Sequence, residues 1–453
     1  MNLFAFGSNA SGQLGLGHEE DVSTPHQCLS MQQSTDAIES EIPSKHNIVQ
    51  IVAGGNHTLL LTHQGHVYAS GCNTDWRCGP DPDNLDSFIE EQPRNGGENL
   101  LRFRRVIITD RMTGSRIDTF KHVSATWEGS ILVANAAINA GDEKPTHQDK
   151  VFVLGSSPKG ELGLRCDTGT TMIIPGTSIP DFPPSGTQIS ALASSMGHTV
   201  AVLSNGEVYG WGGARKGQLG DELKGEKISW TPRRINGIPF ATTGAVCGRE
   251  FTVLLGKKTE MEFMVLGDRA NRWGILDVVD SEGLRLRIRE RKTDGAGTGT
   301  EGTREEEMEK ASVDSFAGAA DKWRLGQIGA SWHGIYAHVN IGESLSDAHI
   351  GSMEKSDSML IAWGRNDRGQ LPPPDLPALD ELAVGSEHVL ALLRDGSVAA
   401  FGWGEHGNCG PETDPHGNVA GLYKSVPLAD ALADRKRVVG VGAGCATSWL
   451  IVD

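Results

Sequence analysis

One unit of short apolar runs separated by glycine-containing turns recurs along the chain, and it strongly limits the folds that the chain can adopt. In its clearest copy, residues 48–80, two apolar runs flank a turn at 54–56, and a further turn at 64–65 leads to a third run. Alternating apolar residues over such lengths indicate β-strands, and Asn-Gly, Asp-Gly and Gln-Gly pairs indicate tight hairpins with positive φ. The other copies contain the segments 123–133, 197–203, 247–254, 331–335, 385–392 and 441–450.

The seventh copy is divided between the two ends of the chain. Residues 441–450 supply its first two strands, and residues 3–7 supply the third strand, followed by the turn at 12–15. Pairing the two ends would close a ring and remove exposed strand edges. We therefore predict an all-β fold, a seven-bladed β-propeller closed by pairing the N-terminal strand with the C-terminal blade. One blade cannot bury its faces alone, so we treat residues 1–453 as a single propeller domain.

Polar segments interrupt the repeated unit at several places. Residues 81–119 are predicted to be a surface insertion, and residues 276–322 an acidic, glycine-rich and disordered loop. Residues 28–46 and 138–149 are predicted to be further surface loops.

Charge and cysteine content narrow the classes of function. The formal net charge is −17, and such a chain repels phosphate backbones, so we expect no direct nucleic-acid partner and rather a basic one. The seven cysteines are odd in number and form no Cys-x-x-Cys motif, which favours a reducing compartment. The first residues do not resemble a signal peptide, and no apolar run reaches the roughly 18 residues of a membrane span. We expect a cytoplasmic and nuclear protein without membrane contact.

The sequence contains no strong catalytic, cofactor or metal motif. Residues 402–407 match Gly-x-Gly-x-x-Gly but lie in a repeat turn, not between a strand and a helix. Cys72 and Cys78 follow several histidines at irregular spacing, whereas zinc sites show paired close ligands. Glu405 and His406 are adjacent, but no third group is evident to orient them as an acid–base pair. We therefore predict no enzyme activity, no cofactor and no metal.

Histidine recurs at the turn between the first and second strands of the unit. His57, His198, His333 and His388 are assigned to equivalent positions, Glu128 and Glu250 replace them in two copies, and a structural role is the first interpretation. The preceding positions vary more, and equivalent loops of a propeller gather around its channel, where Trp and Arg are typical of protein-binding hot spots. The predicted partner-binding residues are Trp127, Glu128, Arg249, Trp332, His333, Glu387, His388, Trp403, Glu405 and His406.

Two turns carry a resemblance to a known family. Residues 6–15 (FGSNASGQLG) and 211–220 (WGGARKGQLG) are similar to the repeat signature of the regulator of chromosome condensation family, and the match extends over nearly the whole chain. Residues 6–21, 401–411 and 444–451 are also similar to a compact branch of that family, the killer-toxin-insensitivity propellers.

The resemblance implies a regulatory or scaffolding subunit. Members of the branch form a heterodimer with a small zinc-containing electron-carrier protein. They support diphthamide synthesis on elongation factor two and the Elongator-dependent modification of wobble uridines in tRNA, so contact with the Elongator complex is also expected. The alternative is guanine-nucleotide exchange on a Ran-like small GTPase, the activity of the founding member of the family. A third interpretation is an inactive propeller that serves ubiquitin or membrane traffic.

Overall fold

The computed structural model describes residues 2–30, 48–82, 97–138, 146–165, 172–268, 270–295, 323–341, 358–428 and 437–453. These residues form seven antiparallel sheets whose first strands all line one central channel, so the predicted seven-bladed β-propeller is confirmed. Among the described residues, no helix has the length and hydropathy that a membrane span requires.

The strands are numbered along the chain. The first sixteen are β1 (Asn2–Gly7), β2 (Val22–Gln27), β3 (Ile48–Ala53), β4 (His57–Thr62), β5 (Val67–Gly71), β6 (Leu100–Arg105), β7 (Ile108–Thr109), β8 (Arg116–Ile117), β9 (His122–Ala125), β10 (Gly129–Ile138), β11 (Thr146–Ser156), β12 (Met172–Ile173), β13 (Ile189–Ser194), β14 (His198–Leu203), β15 (Val208–Gly213) and β16 (Ile228–Ile235). The others are β17 (Gly244–Cys247), β18 (Phe251–Leu255), β19 (Phe263–Gly267), β20 (Trp323–Ala330), β21 (Gly334–Ile341), β22 (Ser358–Gly364), β23 (Leu379–Val384), β24 (His388–Leu393), β25 (Val398–Trp403), β26 (Asn418–Ser425), β27 (Val438–Ala443) and β28 (Thr447–Val452). One α-helix, α1 (Ser281–Gly295), and the short 3-10 helices Asp221–Glu226, Lys258–Glu260 and Ile275–Asp277 complete the described elements.

The strands of each blade follow one another from the channel outwards. Blades 1 to 3 are β3–β6, β9–β12 and β13–β16, blades 4 and 5 are β17–β19 and β20–β22, and blade 6 is β23–β26. Within the described residues, blades 4 and 5 have three strands and the other blades have four. The small hairpin β7–β8 lies along the chain between blades 1 and 2.

Blade 7 closes the ring and combines both ends of the chain. Its order is β27, β28, β1, β2, and β1 pairs with β28 in an antiparallel register from Asn2 opposite Val452 to Gly7 opposite Thr447. The N-terminal strand therefore takes the third position of the blade, as the divided seventh repeat predicts.

The core lies between neighbouring blades. The second strands β4, β14 and β24 are buried along their whole length, because the adjacent blades cover both faces of each sheet. Their sequences are accordingly apolar without the alternation of a one-sided sheet. The first strands surround a channel of about 610 Å³.

Two of the predicted loops contain regular structure. Residues 100–105 of the segment 81–119 form β6, the outer strand of blade 1, and residues 146–149 of the segment 138–149 belong to β11. The hairpin β7–β8 also lies within the segment 81–119. Residues 31–47, 83–96 and 139–145, which include parts of these two loops and most of the predicted loop 28–46, lie outside the described residues.

Helix α1 differs from the disordered loop predicted for 276–322. Leu284 and Ile288 are one helical turn apart and fully buried in a cluster with residues of blades 4 and 5. Arg291 donates a hydrogen bond of 2.5 Å to the carbonyl of Leu360 in β22. Two apolar residues on one face are enough to fix the helix, although the composition of the whole segment indicated disorder. Residues 296–322 lie outside the described residues.

Candidate protein-binding face

Two sets of loops lie at the same end of the propeller, because neighbouring strands are antiparallel. The inner turns join the first and second strands of the blades and comprise residues 54–56, 126–128, 195–197, 248–250, 331–333, 385–387 and 444–446. The outer turns follow the third strands, which end at Gly7, Gly71, Ser156, Gly213, Gly267, Gly364 and Trp403. We call the surface formed by these inner and outer turns the turn face.

Backbone hydrogen bonds connect the inner turns around the channel mouth. The N–H groups of Gly55, Trp127, Arg249, Trp332 and Ser386 donate respectively to the carbonyls of Trp127, Met196, Trp332, Ser386 and Gly444, at 3.0, 3.4, 3.0, 2.9 and 2.9 Å. Each bond joins neighbouring blades. The inner turns are thus a rigid rim, and their side chains are presented at defined positions.

The structure corrects the alignment of the inner turns by one residue in blades 2, 4 and 5. His57, His198 and His388 each begin the second strand of a blade, whereas the second strand of blade 5 begins at Gly334. His333 is therefore equivalent to Glu387 and not to His388. The sequence pattern concealed this shift because a histidine near a glycine occurs in both registers.

The three histidines that begin second strands join neighbouring blades. Their Nε2 atoms lie 3.0, 3.0 and 2.9 Å from the hydroxyls of Ser130, Thr252 and Ser448 of the next blade. Each hydroxyl in turn donates its own proton to an outer-turn carbonyl. The hydroxyl oxygen must therefore accept a hydrogen bond from the histidine, so the ring is protonated at Nε2. Burial lowers the pKa of His57 to about 3, and those of His198 and His388 to about 4.

The predicted partner-binding role of His388 is corrected by this geometry. Its side chain is fully buried between blades 6 and 7 and presents no surface to a partner. The expectation of a structural role for the turn histidines describes His57, His198 and His388, while His333 is half-buried and faces a different set of groups.

Trp127 and Trp332 come together over the channel mouth. Their ring centroids are 5.9 Å apart with an interplanar angle of 50°, although they belong to blades 2 and 5. The Arg249 guanidinium carbon lies 5.7 Å from the Trp332 ring centroid, in cation–π geometry. Three of the predicted residues therefore form one half-exposed cluster. Glu128, next to Trp127, is half-buried and accepts a backbone hydrogen bond from Ser156.

A second aromatic cluster, over blades 4 and 5, contains a residue that the sequence analysis missed. The Trp273 ring has the guanidinium carbons of Arg272 and Arg365 at 4.8 and 5.0 Å from its centroid. The ring of His333 lies 6.1 Å away, measured between centroids. We call Trp273, Arg272 and Arg365 the arginine–tryptophan cluster.

Glu387 connects this cluster to blade 6. Its side chain is only 7% exposed, and its carboxylate accepts a hydrogen bond of 2.5 Å from Arg365, with Arg368 at 3.7 Å. Arg365 also binds Asp367 at 2.6 Å, and this ion pair lowers the pKa of the Asp367 carboxyl. Glu387 was predicted to contact a partner directly, but its burial makes it a group that positions Arg365 and Arg368.

Trp403 and His406 form a third cluster at blades 6 and 7. Their rings are perpendicular with centroids 5.3 Å apart, and the indole N–H of Trp403 donates to Glu405 at 3.1 Å. His406 Nδ1 lies 2.8 Å from a carboxylate oxygen of Asp21 in blade 7. Arg368 stacks on the Trp403 ring at 5.4 Å. The three clusters thus form one row across the turn face.

Equivalence among the outer turns is the signal that could have identified Trp273. The side-chain oxygens of Asn271 and Asn366 accept N–H groups five residues further along, at 2.7 and 3.0 Å, so the two turns superimpose in sequence. Trp273 then occupies the position of Arg368, two residues after the asparagine. The glycine that follows, Gly274, has a φ of +70°, which is why the turn requires glycine.

The closed ring of repeated sheets defines the chain as a β-propeller built from one recurring unit. Comparisons with known proteins show which repeat family this unit resembles. A family model for the regulator of chromosome condensation (RCC1) repeat matches residues 2–61 and 205–255, and a second model of this repeat matches 48–75 and 189–218. Residues 2–75 and 189–255 therefore match RCC1 repeats, and the fold is similar to that of RCC1-like propellers.

Several full-length relatives are similar to the chain. An RCC1 repeat-containing protein of Schizosaccharomyces pombe is 24% identical over 462 residues, which cover 100% of this chain and 99% of the relative. The secretion-regulating guanine nucleotide exchange factor of Mus musculus is 25% identical over 98% of this chain and 82% of its own length. Prp20p from Saccharomyces cerevisiae has a similar fold, with a TM-score of 0.60 and 16% identity over 99% of this chain and 90% of that one.

Proposed function

We propose that this propeller is a non-catalytic regulatory subunit that binds a small zinc-containing electron-carrier protein through blades 6 and 7 of the turn face. In this role it would support diphthamide synthesis on elongation factor two and the Elongator-dependent modification of wobble uridines in tRNA. The partner class comes from the resemblance of residues 6–21, 401–411 and 444–451 to the killer-toxin-insensitivity propellers.

The observation that supports this proposal is that the three segments meet in space. Ser8 of the first segment donates its N–H to the carbonyl of Ala446 at 2.8 Å, and the hydroxyl of Ser448 donates to the carbonyl of Asn408 at 2.8 Å. The contact between His406 and Asp21 joins the first segment to the second. Segments from opposite ends of the chain thus pack against one another where blades 6 and 7 meet, as a shared binding site requires.

The side chains of this surface have the chemistry of a protein-binding anchor. Trp403 is half-buried, and its ring is held in place by the hydrogen bond of its indole N–H to Glu405 and by the contacts with His406 and Arg368. A rigid, amphipathic aromatic side chain of this kind contributes a large contact area at low entropic cost. His406 and Asp21 supply polar groups at its rim.

Titration calorimetry with the purified full-length chain and the zinc protein of diphthamide synthesis tests the proposal. We expect a one-to-one complex that Trp403→Ala weakens by about 2 kcal/mol, roughly thirtyfold. Met112→Ala is the control, because Met112 is 80% exposed in the hairpin β7–β8, away from the row of clusters. Absence of a complex between the pure proteins would remove the proposed partner.

The double variant Trp127→Ala with Trp332→Ala measures how far the docking surface extends. If the partner also covers the channel mouth, the two substitutions weaken binding by about 2 kcal/mol each, reduced by any coupling between the touching rings. Unchanged affinity would confine the partner to blades 6 and 7.

Nucleotide exchange on a small GTPase is the second candidate. It is favoured by the relative named as a guanine nucleotide exchange factor, which matches 98% of this chain. The test is the release of fluorescent GDP from a purified Ran-like GTPase when the chain is added. Accelerated release, together with no binding of the zinc protein, would make exchange the function of the turn face.

A further inference from the structure

We propose that the arginine–tryptophan cluster of blades 4 and 5 is a second binding site on the turn face, and that it takes an acidic peptide segment of a partner protein. The site lies beside the surface of blades 6 and 7, and it does not depend on which protein binds there. Its partner chemistry also differs from that expected from the net charge of −17, which favours a basic partner for the chain as a whole.

Buried and half-buried contacts fix the geometry of the cluster. Arg365 is held by hydrogen bonds to Asp367 and Glu387, at 2.6 and 2.5 Å, and its guanidinium lies on the Trp273 ring. Trp273 is half-buried and therefore stays in place, while Arg272 is exposed above it. A partner would meet a surface that needs little ordering on binding, which favours affinity.

The charge available to a partner at this site is positive. Two of the neighbouring carboxylates are matched, Glu387 by Arg365 and Glu250 by Lys216 at 3.1 Å. A third, Asp268, lies near Glu250 and His333, and burial raises the pKa of its carboxyl. Arg249 and Arg272 are exposed, and within the part of the chain that the structure describes neither makes an ion pair. Arg272 of the cluster thus remains for a partner, with Arg249 on the neighbouring Trp332 ring as a second cation.

Arg272 is the stacked arginine that suits a carboxylate. The N–H groups of Arg365 are already bonded to Asp367 and Glu387. Arg272 lies over the Trp273 face and makes no ion pair within the described residues, so its N–H edges can match both oxygens of a carboxylate. The adjacent indole supplies apolar area for the stem of a Glu side chain or for an aromatic neighbour. An extended segment with several Asp or Glu residues therefore matches the cluster in charge and in shape.

Fluorescence anisotropy with a labelled synthetic peptide tests the proposal on the full-length chain. The probe is a glutamate-rich peptide with one phenylalanine, and its matched counterpart has every Glu replaced by Gln. We expect the acidic peptide to bind, the glutamine peptide to bind at least about tenfold more weakly, and added salt to weaken the acidic peptide further. Equal binding of the two peptides would overturn the proposal.

Substitutions locate the binding on the cluster. Arg272→Ala and Trp273→Ala should each weaken the acidic peptide about tenfold, and Arg272→Glu should abolish its binding while improving that of a lysine-rich peptide. Arg234→Ala is the matched control, because the Arg234 side chain is 56% exposed on the outer strand of blade 3. If Arg234→Ala weakens peptide binding as much as Arg272→Ala does, the effect comes from the overall charge of the protein, and the cluster is not the binding site.

Two further results separate this inference from the proposed function. Trp403→Ala, which should weaken the zinc protein, should leave the acidic peptide unaffected. A single-stranded oligonucleotide of similar charge should bind more weakly than the peptide, and tighter binding of the oligonucleotide would replace the acidic peptide by a nucleic acid as the ligand.

Discussion

Blades 4 and 5 differ from the other blades in the side chains that bind the buried carbonyls of their outer turns. In every outer turn, one backbone carbonyl lies at the interface with the next blade and needs a donor. At five interfaces a small hydroxyl of the next blade provides it: Thr58, Ser130, Thr199, Thr252 and Ser448 donate to Gln13, Arg77, Glu161, Gln218 and Asn408. At the equivalent position blades 5 and 6 have Ile335 and Val389, which have no donor.

Aromatic side chains take over at these two interfaces. The indole N–H of Trp363 donates to the carbonyl of Ile275 at 3.0 Å, and the hydroxyl of Tyr336 donates to the carbonyl of Gln370 at 2.8 Å. Both aromatic residues are buried. The requirement therefore belongs to the backbone of the turn, since a buried carbonyl without a donor is costly, and the side chain that meets it is free to vary.

In blade 3, Trp211 also donates to such a carbonyl, that of Glu161 at 2.9 Å, but there Thr199 supplies a hydroxyl as well. The region that has an aromatic donor without the hydroxyl is also the region that, within the described residues, departs from four strands per blade. It contains helix α1, and its outer turn carries Trp273 and Arg272. The blades with hydroxyl donors form the regular part of the ring.

Removal of an aromatic donor should have the largest effect. Trp363→Ala deletes a buried ring and leaves the carbonyl of Ile275 without its donor, so we expect a loss of about 4 kcal/mol in the free energy of unfolding, measured by urea denaturation. Trp363→Phe keeps most of the packing and isolates the hydrogen bond, with a loss nearer 1–2 kcal/mol. A small loss for Trp363→Ala would show that blades 4 and 5 are not held together by this contact.

Removal of a hydroxyl donor should cost less. Ser448→Ala leaves the carbonyl of Asn408 and the ring of His388 without a common partner, and we expect a loss of about 2 kcal/mol in the free energy of unfolding. Ser425→Ala, at an exposed position of β26, is the control and should change stability by less than about 0.5 kcal/mol. Equal effects of the two substitutions would contradict the linkage between blades 6 and 7.

Acid should weaken the histidine-linked interfaces selectively. The pKa of His388 is about 4 in the folded protein and near 6.5 in the unfolded chain, so the unfolded chain binds more protons between these values. The stability that neutral His388 contributes is present above pH 6.5 and is lost as pH falls from about 6.5 towards 4, by up to about 1.4 kcal/mol per pH unit. His388→Gln should reduce the pH slope in this window.

Comparing the pH dependence of stability of the original protein and of His388→Gln separates the contribution of His388 from those of other titratable groups. The raised pKa values of Glu161 and Glu381, caused by burial, act in the opposite direction, so the difference between the original protein and the variant is the informative quantity. An unchanged slope would show that His388 does not remain neutral in the folded state.

Most of the fold could be predicted from the sequence because strands and tight turns depend on neighbouring residues. The short apolar runs such as 57–61, the glycine turns between them and the divided seventh repeat were enough to predict the seven blades and the closure. Helix α1 was missed because its two anchoring residues, Leu284 and Ile288, are embedded in a polar segment. Their burial depends on surfaces of blades 4 and 5 that no local pattern reveals.

The candidate site could be predicted only in part. Sequence reasoning selected Trp127, Trp332 and Trp403 from loops expected to share one end of a propeller, and the structure places all three on the turn face. It also selected His388, which is buried, together with His333, because without the strands the two histidines appear to be equivalent.

The sequence by itself determined the repeated strands, the glycine turns and the closure of the ring, since these depend on short-range periodicity. Only the tertiary structure decided which side chains meet. Trp273 lies between Arg272, its neighbour in the chain, and Arg365 of another blade, which in turn is held by Glu387 of a third. Such a cluster arises from the packing of neighbouring blades, and it cannot be predicted from the spacing of its residues along the chain.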